Sequence, residues 1–203
     1  MNHLHTCGAD LGFSRILSPG DSKMALTGFG LLTLRGGQNH ATGPAQTEAA
    51  LVVLGGRCNL RCGTVEFPNI GERKDVFCGA PYTVYLPAGT DYEIEAITDL
   101  EIAVAESPSS RVGQPQLIGP NQVKSLALGR DNFSRQALII IDEKFPSEHF
   151  FIGEAIVPSG NWASFPPHRH EFDNPPDELA MEEIYFFRFN PIDDGALLVG
   201  QAA

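Results

Sequence analysis

Short segments in which apolar and polar residues alternate dominate the first half of the chain. Residues 92–97 alternate cleanly, which predicts a strand with Tyr92 and Ile94, and as a third position Ala96, facing inward. A strong turn signal at 87–90 precedes this segment. Strands at such spacing suggest a barrel or a sandwich. The predicted strands are 26–34, 48–54, 65–67, 76–77, 82–86, 92–97 and 100–105.

The second half of the chain shows the same strand-rich pattern but no strict sequence repeat. Residues 107–122 are rich in proline and glycine, which predicts a connecting segment. We therefore expect an N-terminal domain at 1–110 and a C-terminal domain at 111–203. Further strands are predicted at 123–128, 137–142 and 149–157.

One segment, 160–190, concentrates the residues that suit metal chemistry. His168 and His170 follow two prolines, which favour an extended backbone, and an extended His-x-His places both imidazoles on one face. The aromatic-rich segment 181–189 is predicted as a strand, and it carries two adjacent glutamates, Glu182 and Glu183, either of which could supply a carboxylate. Two imidazoles and a carboxylate suit zinc, manganese, iron(II) or nickel. Two ordinary surface histidines are the alternative interpretation, against which the nearby glutamates argue.

Alternation along 181–189 divides its side chains between two faces. Glu183 and Tyr185 share one face, and Glu182 and Arg188 share the other. Tyr185 is a candidate for hydrogen-bonding a substrate, with a barrel-core tyrosine as the equal alternative. Arg188 is a candidate for binding a substrate carboxylate, because a guanidinium offers a forked pair of donors. A solvated surface arginine is the alternative for that position.

Composition limits the partners of the chain. With 25 acidic and 14 basic residues its net charge is −11, which argues against nucleic acid and anionic membranes as partners. No apolar run is long enough to span a membrane, and the N-terminus lacks the pattern of a secretory signal. The spacing of Cys58 and Cys62 could hint at a metal or redox site, but no second cysteine pair or nearby histidine completes it, so we expect reduced thiols and a cytoplasmic location. The cysteines are Cys7, Cys58, Cys62 and Cys78.

The metal segment resembles a known family. Its stretches 160–171, 173–176 and 182–191 read GNWASFPPHRHE, DNPP and EEIYFFRFNP. They are similar to the 5-deoxy-glucuronate isomerases of myo-inositol catabolism, which are related to the 4-deoxy-threo-hexosulose-uronate isomerases of pectin breakdown. The resemblance implies an all-β bicupin, made of two double-stranded β-helix (jelly-roll) barrels, with a metal-free first barrel and a divalent metal in the second.

The resemblance also implies which residues hold the metal. His168 and His170 match the family's histidine ligands, and Glu183 is preferred over Glu182 as the third because it directly precedes the Ile-Tyr-Phe run. The family's fourth ligand is a histidine on a later strand, and no histidine follows His170 in this sequence. We therefore expect the second barrel to be incomplete.

The function that the resemblance implies is a metal-dependent aldose–ketose isomerase of carbohydrate metabolism. It would convert 5-deoxy-D-glucuronate to 5-dehydro-2-deoxy-D-gluconate, with zinc as the first choice of metal and manganese, iron or nickel as alternatives. Glu182 is a candidate general base. An incomplete barrel exposes strand edges, which predicts a homo-oligomer. A non-catalytic cupin that binds sugar or has a structural role is the alternative function, and a metal-dependent oxygenase is a third.

Overall fold

The computed structural model describes residues 10–21, 24–163, 168 and 170–191. Within them the chain has thirteen strands, two single-turn 3₁₀ helices and no α-helix, which confirms the all-β prediction. Neither of these helices has the length and apolar character needed to cross a membrane. The strands are β1 Gly12–Leu17, β2 Gly28–Leu34, β3 Asn39–Thr42, β4 Thr47–Gly55, β5 Cys58–Cys62, β6 Val65–Ile70, β7 Thr83–Leu86, β8 Tyr92–Ala96, β9 Leu100–Pro108, β10 Gln116–Ile118, β11 Lys124–Leu128, β12 Arg135–Ile141 and β13 Ile152–Ile156. The 3₁₀ helices are Pro120–Gln122 and Asp131–Phe133.

Two antiparallel sheets enclose the main hydrophobic core. One has six strands in the order β1-β2-β9-β4-β7-β10, and the other has four in the order β3-β8-β5-β6. Leu32, Leu51 and Ile102 of the larger sheet pack in one cluster with Leu60 and Ile94 of the smaller sheet. Burying each such side chain stabilises the fold by about 1.5–3 kcal/mol, so the contact between the sheets is the main stabilising feature of this sandwich.

Strand β8 has the orientation that its alternation predicts. Tyr92, Ile94 and Ala96 are buried in the core, which confirms their inward prediction. The glutamates between them face outward and pair across the sheet: Glu95 accepts a hydrogen bond of 2.8 Å from the Asn59 amide. Such cross-strand pairs contribute modestly to stability. The register of the strand pairing is fixed by the buried face, because a shift of one residue would expose it.

Some sequence predictions differ from the structure in the first half. The predicted strand at 76–77 is wrong: these residues form a turn, in which Asp75 accepts hydrogen bonds from the amides of Phe77 (2.9 Å) and Cys78 (3.1 Å). Aspartate commonly stabilises turns in this way, and here that local bonding outweighs the strand propensity of two apolar residues. Strands β1 and β3 lie where no strand was predicted, and β10 lies inside the predicted connecting segment.

The chain forms two compact units, neither of which is contiguous in sequence. The first comprises Met1–Val123 and Ile140–Ile152, and the second comprises Lys124–Ile139 and Gly153–Ala203. Strand β12 continues from the second unit into the first, and it is the middle strand of a three-stranded sheet ordered β11-β12-β13. The expected division into 1–110 and 111–203 stays a prediction.

A buried carboxylate joins the late segment of the first unit to strand β4. Glu48 is fully buried (0% exposed) and alternates with the core-facing Ala49. The Tyr85 hydroxyl donates to its carboxylate at 2.7 Å, and the backbone amides of Glu148 and His149 donate at 2.9 and 2.7 Å. Two effects raise the pKa of Tyr85 well above its usual value: burial, which is the larger, and the hydrogen bond to Glu48. The hydroxyl therefore stays protonated and remains a donor at neutral pH.

The described cysteines are free thiols, as expected. Cys58 and Cys62 are buried and Cys78 is exposed, whereas Cys7 lies outside the described residues. Burial raises the pKa of both Cys58 and Cys62 to about 12. These two thiols are therefore almost entirely protonated at neutral pH, which argues against a redox role for them.

Replacing Glu48 by glutamine tests how much this carboxylate stabilises the first unit. Glutamine has the shape of glutamate but carries no negative charge. Its side-chain NH2 group would also face one of the three groups that donate hydrogen bonds to the carboxylate. Because hydrogen bonds to charged groups contribute about 1.5–3 kcal/mol each, we expect Glu48→Gln to lower the free energy of unfolding by about 2–4 kcal/mol in urea titrations. Tyr85→Phe should cost about 1 kcal/mol, and the exposed control Glu66→Gln should cost less than about 0.5 kcal/mol. Equal stability of Glu48→Gln and the parent chain would contradict the assignment.

Candidate metal centre

The two predicted histidine ligands lie close together in the second unit. The rings of His168 and His170 are perpendicular, with centroids 5.0 Å apart. His168 is exposed and His170 is half-buried. The prolines before them and Arg169 between them lie outside the described residues, so the extended backbone predicted for His-x-His stays a prediction.

The hydrogen bonds of His170 determine which of its ring nitrogens can bind a metal. Its Nδ1 lies 3.2 Å from the carbonyl oxygen of Leu179, and its own backbone carbonyl accepts a bond of 3.0 Å from the Met181 amide. A carbonyl oxygen only accepts, so Nδ1 carries a proton, and in the neutral imidazole Nε2 keeps a free lone pair. Histidines that ligate metals are commonly oriented by such a bond from the other ring nitrogen.

Glu183 faces this free nitrogen. Its Oε1 lies 3.9 Å from Nε2 of His170, and the same oxygen accepts a hydrogen bond of 3.1 Å from the Tyr185 hydroxyl. The Tyr185 ring stacks on Phe187 with the centroids 6.2 Å apart. The structure thus brings together one predicted histidine, the preferred glutamate and the candidate tyrosine.

The acidic loop between His170 and Glu183 is ordered by Glu178. Its Oε1 accepts hydrogen bonds of 3.0 Å from the amides of both Glu171 and Phe172, and its backbone carbonyl accepts one of 2.8 Å from Asn174. This loop therefore closes on itself and returns the chain to His170. The sequence motif did not identify Glu178 or the Leu179 carbonyl, because their roles depend on contacts across the loop.

Segment 181–189 keeps the predicted alternation but not the predicted strand. Glu182 and Arg188 are half-buried, whereas Glu183 and Tyr185 are exposed, so the two pairs lie on opposite sides as predicted. The Arg188 guanidinium lies 4.3 Å from the ring centroid of Phe186 on its own side. The strand prediction is wrong for the described residues, because a strand needs a ladder of partners and the bond between Met181 and His170 is a single pairing.

Three metal ligands do not converge in the part of the chain that the structure describes. No group of three or more histidine, cysteine, aspartate or glutamate side chains there could hold a metal ion. What it contains is the pair of His170 and Glu183, with the ring of His168 beside His170. The assignment of His168, His170 and Glu183 as a three-ligand site stays a prediction.

Zinc titration of single variants tests the three-ligand prediction. We expect His168→Ala, His170→Ala and Glu183→Gln each to weaken zinc binding by about 10-fold or more, because a site with few ligands loses much of its affinity with each one. His149→Ala is the matched control, since His149 also lies 3.9 Å from a glutamate, Glu148, but belongs to the first unit. An equal loss in this control, or unchanged zinc binding by His170→Ala, would place the site elsewhere.

Comparison with known proteins identifies relatives over most of the chain. Residues 12–199 match the model of the KduI/IolB family. The chain is 38% identical over 165 residues to a protein named 5-deoxy-glucuronate isomerase from Geobacillus kaustophilus, covering 81% of this chain and 60% of the relative. Proteins of the same name from Geobacillus thermodenitrificans and Bacillus subtilis are 36% and 30% identical, covering 86% and 84% of this chain and 64% of each relative. The chain thus spans about three fifths of the length of these relatives.

A solved structure shares the fold. The crystal structure of an IolB-like protein from Salmonella typhimurium superimposes with a TM-score of 0.83 at 27% identity. The match covers 88% of this chain and 68% of that one. The fold of the chain is therefore that of an IolB-like protein.

Proposed function

Because this chain belongs to the KduI/IolB family, we propose that it acts as an aldose–ketose isomerase in inositol catabolism. The substrate would be 5-deoxy-D-glucuronate and the product 5-dehydro-2-deoxy-D-gluconate, as the names of its relatives suggest. The geometric observation that supports the proposal most is the pairing of His170 Nε2 with Glu183 Oε1, inside the matched region.

The donor set fits a divalent metal, for which zinc is our first choice and manganese, iron or nickel are alternatives. Two atoms bound to one tetrahedral zinc lie about 3.4 Å apart, and the nitrogen and oxygen of His170 and Glu183 are 3.9 Å apart. The free lone pair of Nε2 faces the carboxylate, and His168 lies beside it as the proposed third ligand. When bound, such an ion supplies Lewis-acid polarisation of a substrate oxygen.

The residues around this pair would handle the substrate and its protons. The Tyr185 hydroxyl donates a hydrogen bond to Glu183 and so holds the carboxylate in place. The Tyr185 side chain is exposed beside this carboxylate. Isomerisation moves a proton between adjacent carbons, which needs a general base, and Glu182 stays our candidate. Arg188 stays our candidate for the substrate carboxylate, because a guanidinium can bind both carboxylate oxygens. Both side chains alternate away from Glu183, on the face opposite to that of Tyr185.

Assay of 5-deoxy-D-glucuronate isomerisation with added zinc or manganese tests this proposal. We expect measurable turnover by the parent chain and a loss of about 100-fold or more in His170→Ala, because the proposed metal centre is lost. Tyr185→Phe should lower kcat by about 3- to 10-fold, since Glu183 loses its donor. The control Cys78→Ser, at an exposed thiol of the first unit, should change the rate by less than about two-fold. A folded, metal-loaded parent chain without turnover would contradict catalysis and favour a sugar-binding role.

We also propose that the chain self-associates, in the cytoplasm, through an exposed strand edge. All five residues of β11 are exposed, and Leu126 and Leu128 on this edge strand are among the exposed large apolar side chains. An edge strand of this kind is a template for pairing with another chain.

Sedimentation velocity over a range of concentrations tests self-association. We expect a concentration-dependent shift to a dimer or larger assembly, because pairing covers the edge of β11. Leu126→Lys should shift the equilibrium towards the monomer, whereas the control Val112→Lys, at an exposed apolar residue outside the strands, should not. A parent chain that stays monomeric at high concentration would refute the proposal.

A further inference from the structure

The first unit contains a groove that the proposed isomerase function does not use. Its volume is about 430 Å³, within the range of small-molecule sites. Seven residues line the groove, and all belong to the first unit: Glu72, Tyr82, Leu117, Gly119, Pro120, Asn121 and Gln122. His170 and Glu183 belong to the second unit.

One wall of the groove is held in place from within the protein. Arg73, next to Glu72 in sequence, is almost completely buried and donates hydrogen bonds of 3.0 Å to the carbonyl oxygens of Val53 and Gly79. The Tyr82 hydroxyl donates to Oε1 of Glu72 at 3.2 Å. The carboxylate and the phenol are therefore positioned before any ligand arrives, which lowers the entropic cost of binding.

The rest of the lining includes a closed turn at residues 119–122. The side-chain oxygen of Gln122 accepts a hydrogen bond of 2.9 Å from the backbone amide of Gly119. In return, the backbone amide of Gln122 donates at 2.9 Å to the backbone carbonyl of Gly119. Pro120 fixes the backbone between them. Asn121 is exposed on this turn, so its amide is accessible at the rim of the groove.

These walls combine flat apolar surfaces with uncharged and acidic polar groups. The Tyr82 ring, Pro120 and Leu117 offer apolar contact, and the Tyr82 hydroxyl, Glu72 and Asn121 offer hydrogen bonds. Among the residues that the structure describes, no lysine, arginine or histidine lines the groove, and the whole chain has a net charge of −11, so an anionic ligand would be repelled. A single exposed carboxylate contributes little to binding a cation.

We propose that this groove binds a neutral, hydroxylated molecule the size of a sugar. The apolar surfaces cover the C–H face of the ligand, and the carboxylate, phenol and amide bond its hydroxyl groups. This site is distinct in charge preference from the proposed isomerase site, whose substrate is a uronic acid. A ligand here contacts the turn that ends at Gln122, two residues before the second unit begins at Lys124.

Binding of D-glucose, D-glucuronate and D-glucosamine tests the proposal, because the three sugars share a ring and differ in charge. Saturation-transfer NMR measures the binding of each sugar. The measurements use the His170→Ala variant, so that binding of glucuronate at the proposed metal centre does not contribute to the signal. We expect glucose to bind with a Kd of about 1–10 mM, glucuronate about 10-fold or more weakly, and glucosamine no more tightly than glucose. Glu72→Ala and Asn121→Ala, both at exposed positions, should each weaken glucose binding about five-fold, and the exposed control Glu66→Ala should leave it unchanged.

Four outcomes would overturn the proposal. The first two are that glucose does not bind, and that glucuronate binds as tightly as glucose. The third is that glucosamine binds about 10-fold more tightly than glucose. The fourth is that the control and the groove variants affect glucose binding equally. Circular dichroism of each variant establishes that it is folded. Because the isomerase assay depends on the second unit, failure of this test leaves the proposed function unaffected, and failure of that assay leaves this test unaffected.

Discussion

Glu48 can be fully buried in the first unit because three donors reach its carboxylate. A buried charge without such partners costs several kcal/mol, so the donors must be present in the folded state. Two of them are backbone amides from residues about 100 positions later in the chain. The ring of Phe145, from the same late segment, also packs edge-on against Tyr85 at 5.1 Å. Satisfying this one group therefore joins the late segment to strands β4 and β7 of the first unit.

The core strands and the buried carboxylate differ in how far the sequence predicts them. The inward face of β8 follows from a two-residue period, because Tyr92, Ile94 and Ala96 need only a sheet to pack against. Glu48 lies at the start of an otherwise apolar run, and a local pattern predicts an exposed glutamate there. Its partners lie 37, 100 and 101 residues away, and no spacing rule connects them.

The candidate metal centre shows the same contrast within a short distance. The motif identifies His170 and Glu183, and the structure places Nε2 and Oε1 of this pair 3.9 Å apart. The motif carries no information on the Leu179 carbonyl, which fixes the tautomer of His170, because a backbone oxygen leaves no trace in the sequence. Glu178 is likewise indistinguishable in sequence from a solvated acid, although it accepts two backbone amides. The prediction of a strand at 181–189 was wrong, because alternation predicts which side chains share a face but not whether another strand pairs with the segment.

The interleaving of the two units affects the order in which the protein can fold as it is synthesised. The chain leaves the first unit after Val123, returns to it at Ile140 and leaves again after Ile152. While the ribosome is still adding those residues, the carboxylate of Glu48 has Tyr85 as a donor but lacks the amides of Glu148 and His149. The first unit therefore cannot complete its folding in the vectorial manner of a contiguous domain, and such distant contacts generally slow folding. A gene cut after Val123 would yield a chain in which this carboxylate has lost its two backbone donors.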